Sequence, residues 1–132
     1  MTRFLCLVVA VFLMALPARA DDAARQVISD QLDAFQQDDF DTAFTHASPM
    51  IQGIFGSSER FGQMVRNGYP MVWRPAEVEF LGERDEGDAL MQDVLIRGAD
   101  GVYHELEYEM IQGPGGWKIN GVRLKRTGEG MA

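Results

Sequence analysis

A chain of 132 residues with 20 acidic and 12 basic side chains is large enough for one core that buries about two-thirds of its unfolded surface. The net charge of −8 disfavours nucleic acid and anionic membrane, since both attract basic surfaces. With a single cysteine, Cys6, the chain has no intrachain disulfide and no thiolate zinc cluster.

In chain order, the first segment differs from all that follows. Thr2-Arg3 gives a short positive start, and Phe4 to Leu16 is an apolar run, shorter than the roughly 20 residues a membrane span needs. Ala18-Arg19-Ala20 has the small-x-small form of a signal-peptidase site. The expectation is a signal peptide over 1–20, cleaved after Ala20, and a periplasmic or secreted protein. Removing that segment takes Arg3 and Arg19 and no acid, so the mature chain holds 10 basic and 20 acidic residues and no cysteine. A single domain over 21–126 and a disordered tail over 127–132 complete the expected organisation.

From Asp22 to Gln37, Ala24, Val27, Ile28, Leu32 and Phe35 recur at threes and fours, which predicts an amphipathic helix. Asp38-Asp39 caps a second helix with a stripe of Phe40, Ala43, Phe44 and Ala47. Ser48 and Pro49 start a third, through Ile51, Ile54 and Phe55, and Gly56 closes it. Ser57 or Ser58 caps a fourth with Phe61, Met64 and Val65 inward, stopped at Gly68. After that stop, Tyr69, Met71 and Trp73 share a parity, so Tyr69 to Pro75 reads as an extended connector or edge strand.

Four strands follow: Glu77 to Leu81, Ala89 to Arg97, Val102 to Gln112 and Trp117 to Lys125, separated by the turns "GERDEGD", "GADG" and "GPGG". In the third strand, Val102, His104, Leu106, Tyr108 and Met110 share the buried parity. Glu105, Glu107 and Glu109 share the other, which makes a wet, acidic outer face. The inward parity switches between Ile119 and Val122, and a bulge at Gly121 explains it. The fold class is α+β, with N-terminal helices on the concave face of a curved four-stranded antiparallel meander. The order is similar to the nuclear transport factor 2-like cone, a fold shared by steroid isomerases, dehydratases, polyketide cyclases and many non-catalytic domains.

The segments "AFQQDDFDTAF…ASP", "FGQMVRNGYPMVWRP" and "GWKINGV" resemble a family of small exported bacterial proteins, domain of unknown function 4864, over nearly the whole mature chain. The resemblance implies a fold and no activity, since the family carries no assigned catalytic residues.

Few residues invite chemistry. His46 and His104 are too few for a three-histidine metal centre, and in "HELEY" Tyr108 stands where a zincin needs its second histidine. Glu105, Glu107 and Glu109, about 7 Å apart along a strand, are the one arrangement that suggests calcium, and a solvated face guarding against edge pairing explains them more simply. No serine lies in a G-x-S-x-G elbow, and "GPGG" lacks the Lys-Ser/Thr of a phosphate loop. No cofactor and no metal are expected.

Two functions remain. The first is a non-catalytic binding or interaction module with a small apolar pocket framed by Tyr69, Trp73, His104, Tyr108 and Trp117, for an apolar ligand or a protein partner. The second is a small-molecule isomerase or lyase with His104 as general base and Tyr69 or Tyr108 as hydrogen-bond donor. His46 interacts with the dipole at a helix end. Arg74 is expected to pair with Glu77 or Asp39, or to line the pocket mouth with Tyr69. Nucleic acid and, once the signal is removed, membrane are not expected partners, and the protein is a monomer or homodimer.

Overall fold

The structure, a computed structural model, describes residues 20–128. The expected signal peptide falls almost entirely on residues 1–19, outside the described residues, as does the end of the expected tail, 129–132.

Helix α1, Ala20–Gln36, turns Ala24, Ile28, Leu32 and Phe35 into the core on one stripe. The chain leaves it through Asp38, a non-glycine residue at φ +53. Asp39 then caps α2, Phe40–Thr45, by accepting from the Thr42 N–H. Ser48 caps α3, Pro49–Phe55, through the Ile51 N–H, and Gly56 ends that helix at φ +78, a conformation side chains resist. Ser57 caps α4, Ser58–Gly68.

The chain beyond Gly68 departs from the extended reading. Pro70–Trp73 is a helical turn, α5, with Pro70 in its first position and Met71 and Val72 buried. Proline before a short apolar run suits a first helical turn as well as a strand, and three or four residues cannot separate the two periods.

The sheet is a meander in the order β1-β2-β3-β4, all antiparallel: β1 Pro75–Glu86, β2 Ala89–Gly98, β3 Tyr103–Gly113 and β4 Gly116–Gly128. β4 runs past the expected boundary at 126, since Thr127 and Gly128 still pair with His104 and Tyr103. Its register slips where Glu109 faces Gly121 and Met110 faces Ile119, so Asn120 is the extra residue of a bulge. The bulge restores the inward parity from Ile119 to Val122 and bends the strand. Val94, Ile96, Leu106, Tyr108, Met110 and Ile119 belong to one core with the α1 stripe, Phe61, Val65 and Val72.

Both sheet edges are managed. Ile119 on β4 receives a short parallel bridge, its N–H donating to His46 O and its carbonyl accepting from the Ser48 N–H, each at 2.8 Å. On β1 a bulge after Phe80 frees the carbonyls of Leu81 and Gly82. The buried Gln92 amide donates to both, and its oxygen accepts from Arg25 on α1.

The outer face is less wet than its alternation suggests. Glu105 and Glu107 are only 8% and 5% exposed, because arginines fold across them. Glu107 accepts from Arg84 at 2.6 Å and Arg123 at 2.9 Å, and Glu105 from Arg126 at 2.7 Å. These bonds hold the Glu107 carboxyl below the usual glutamate range, the Arg84 bond contributing most. Charge pairing covers the face the parity exposed, with Asp93 Oδ2 taking Lys125 at 3.1 Å.

Candidate functional site

A partly enclosed cavity of about 250 Å³ lies where the helices meet the bulged strand β4. Gln31 and Phe35 of α1 form one side, and Ile51 and Phe55 of α3 another. Phe61, Met64 and Val65 come from α4, Tyr69 from the joint between α4 and α5, and Ile119, Gly121 and Val122 from β4. Capping explains how these residues arrive. Ser48 starts α3 so that Ile51 and Phe55, four residues apart, share a face, and Ser57 starts α4 so that Phe61 and Val65 do the same.

The lining is almost wholly apolar and no charged side chain contributes to it. Three of its rings form a cluster, with Phe35 tilted against Phe61 at 5.8 Å and Phe55 edge-on to it at 5.6 Å. Only Gln31 and Tyr69 bring polar side-chain groups. Gln31 donates through Nε2 to Ala43 O at 3.1 Å, and the Tyr69 hydroxyl donates to Val122 O at a long 3.4 Å. α3, with no buried residue, leaves Met50 and Ile54 54% and 65% exposed beside the cavity wall.

Of the five residues expected to frame a pocket, this cavity takes Tyr69 alone. His104 has the inward parity but sits at the end of the sheet opposite Ile96 and Thr127, with Nδ1 2.9 Å from Thr127 Oγ1. Tyr108 is fully buried in the core, and its hydroxyl has no hydrogen-bond partner among the described residues. Burial, and to a lesser degree Tyr69, pushes its pKa far above the ordinary tyrosine value, so the phenol stays neutral. Trp117 packs partly buried against the core.

Trp73 belongs to a latch outside the cavity. Its indole N–H donates to Asp38 at 2.8 Å, and its ring lies under the guanidinium groups of Arg74 and Arg66, at 4.1 and 5.0 Å. Arg74 pairs with Asp38 at 3.0 Å, where Glu77 or Asp39 was expected, and donates to Phe35 O at 2.6 Å. Glu77 pairs with Arg97. The bonds from Trp73 and Arg74 hold the Asp38 carboxyl below its usual range. His46 ends α2, and burial lowers its pKa.

The residue that sequence reasoning passed over is Gln31. It lies on the α1 stripe, three residues from Ile28 and four from Phe35, and a glutamine in an apolar stripe is the signal that marks it.

The sequence model of a domain of unknown function, DUF4864, matches residues 18–131. The chain belongs to this family. None of the curated proteins matches it. Among solved structures, the chain is similar to the solution structure of a SEC-C motif containing protein from Rhodopseudomonas palustris, at a TM-score of 0.53 and 13% identity. The match covers 85% of this chain and 96% of that one. At that identity the likeness concerns the fold alone: α+β, with helices against a four-stranded antiparallel sheet.

Proposed function

We propose that this DUF4864 domain is an exported, non-catalytic binding module whose cavity holds a small uncharged apolar molecule. The observation that carries the reading is a lining of apolar and aromatic side chains without a single charge. An ion there would lose its hydration with no partner to replace it, whereas an apolar group gains from leaving water. The size is informative. An apolar cavity of about 150 Å³ accepts benzene, and drug-sized pockets begin near 300 Å³, so about 250 Å³ suits one ring or a short chain. The cone form of the nuclear transport factor 2-like domains, whose helices roof a cavity over a curved sheet, agrees with this use, and the apolar run ending at Ala18-Arg19-Ala20 agrees with export to the periplasm.

Acid–base catalysis by His104 fits less well. Its ring lies beside Thr127, outside the cavity lining, and no other histidine or carboxylate reaches that lining among the described residues.

Native mass spectrometry of the protein recovered gently from its producing cells tests both parts. The expected chain begins at Asp21 and carries a reproducible small adduct that is lost on denaturation and is absent from Ala47→Leu, a substitution that enlarges a side chain of the cavity lining. An exported chain with no adduct that also takes up no added toluene refutes the binding reading.

A further inference from the structure

The polar groups of the cavity narrow the ligand further, on the assumption that the cavity is a binding site. We propose that the ligand is an uncharged single ring bearing one hydrogen-bond donor, a phenol-like hydroxyl or a ring N–H, which donates to the Gln31 side-chain oxygen.

Gln31 is 3% exposed and lies in the cavity wall. Its Nε2 is committed to Ala43 O, and that is the one hydrogen bond its side chain makes among the described residues. Gln31 is part of the cavity lining and its amide oxygen accepts no hydrogen bond among the described residues, which leaves it as an acceptor for a ligand there. The Gln31 side-chain N–H ties α1 to α2, and its oxygen has no such task among the described residues. Ala43 O already accepts from the His46 N–H, so the helix turn is satisfied without Gln31. A leucine at this point of the stripe would close the core more tightly. Tyr69, with a stretched bond to Val122 O, adds a second polar group, a hydroxyl able to accept from or donate to the same ligand.

The ring is argued from its neighbours. Phe61 packs tilted against Phe35 and edge-on against Phe55, an arrangement a further aromatic ring extends by presenting its edge to their faces. Met64 in the same wall supplies a polarisable sulfur of the kind that packs at ring edges. A carboxylate on the ligand would meet no cation in the lining.

The test uses three probes of similar size on the purified protein: p-cresol, toluene and benzoate, followed by calorimetry. p-Cresol is expected to bind about tenfold more tightly than toluene, the worth of one good hydrogen bond, and benzoate not at all. In Gln31→Met, the affinity for p-cresol is expected to fall about tenfold, to the value toluene shows on the wild-type protein. An independent readout needs no variant: the Gln31 side-chain amide resonances shift with p-cresol and hold still with toluene. Equal binding of p-cresol and toluene, with no amide shift, overturns the donor and leaves the apolar site standing. Binding of benzoate as tight as that of p-cresol overturns the requirement for an uncharged ligand. Failure of all three probes, in wild type and in Ala47→Leu alike, overturns the binding site and this inference together.

Discussion

Tyr108→Phe removes one oxygen from the centre of the core, and its effect can be worked out from the structure. The hydroxyl is fully buried and has no hydrogen-bond partner among the described residues, so folding strips it of water and returns no bond from them. Deleting such a group recovers about 1–3 kcal/mol. Against this stands the void the oxygen leaves, roughly 10–15 Å³, which at about 24 cal/mol per Å³ costs about 0.3 kcal/mol. The net expectation is a gain of about 1–2 kcal/mol, or about 4–8 °C in thermal midpoint for a domain of this size. Thermal and urea unfolding, followed by circular dichroism, measure it. The pH dependence gives a second readout. The folded-state pKa of Tyr108 is raised, so its contribution is complete below the unfolded value of 10.0 and is lost as pH rises beyond it. The variant should therefore lose less stability than wild type above that pH. A loss of 1 kcal/mol or more in Tyr108→Phe would refute the reasoning and show that the hydroxyl is bonded in solution, to a water or a ligand.

Two glycines in helices should respond with opposite signs. A Cβ on Gly62 would lie 2.6 Å from the Phe40 ring, so Gly62→Ala is expected to lose about 1–2 kcal/mol despite alanine's better helix propensity, whereas Gly53→Ala meets nothing within 4 Å and should gain about 0.5–1 kcal/mol. Urea midpoints decide, and equal signs would mean that Phe40 moves aside. Glu107, with its pKa depressed by Arg84 and Arg123, adds stability that is present above its unfolded value of 4.5 and lost as pH falls through the folded one. Glu107→Gln should lower the urea midpoint at neutral pH, and the two proteins should converge in acid. Parallel curves would show the ion pairs to be idle.

The capping residues were the most legible part of the sequence. Asp39, Ser48 and Ser57 each cap the helix that their position before an apolar stripe indicates. The strands and the bulge near Gly121 follow from alternation and its interruption, because period-two patterns record which face is buried. Parity does not record how far along a strand the helical cover reaches. His104 and Tyr108 share a parity, yet one lies at the sheet end beside Thr127 and the other under the helices. Nor does parity tell what lies over a face: Glu105 and Glu107 point outward as expected, but bulges in β4 decide that Arg126 and Arg123 stand opposite them. The cavity was the least legible feature. Phe35, Phe55 and Phe61 have the spacing of core residues, and only the meeting of separate helices shows that space remains between them.

The segments that carry the resemblance to the family are the ones that meet around that cavity, and this gives the stretch "FGQMVRNGYPMVWRP" its role. Asp38, in "AFQQDDFDTAF", is bound by Trp73 and Arg74 of "VWRP", and Arg74 also takes the carbonyl of Phe35. Ser48, in "ASP", is bound to Ile119 and Asn120 of "GWKINGV", with its hydroxyl 2.7 Å from Asn120 Oδ1. One latch fixes the end of α1, and so Gln31 and Phe35, against the joint that presents Tyr69. The other fixes the start of α3, and so Ile51 and Phe55, against the bulge that presents Val122. The latches hold two lining residues, Phe35 and Ile119, by their backbone carbonyls, and together they set the distances across the cavity. A pocket built from short helices needs such ties, because packing alone would favour closing the space. Charged and polar residues that look like a site in the sequence therefore hold the walls of a cavity whose lining has no charge.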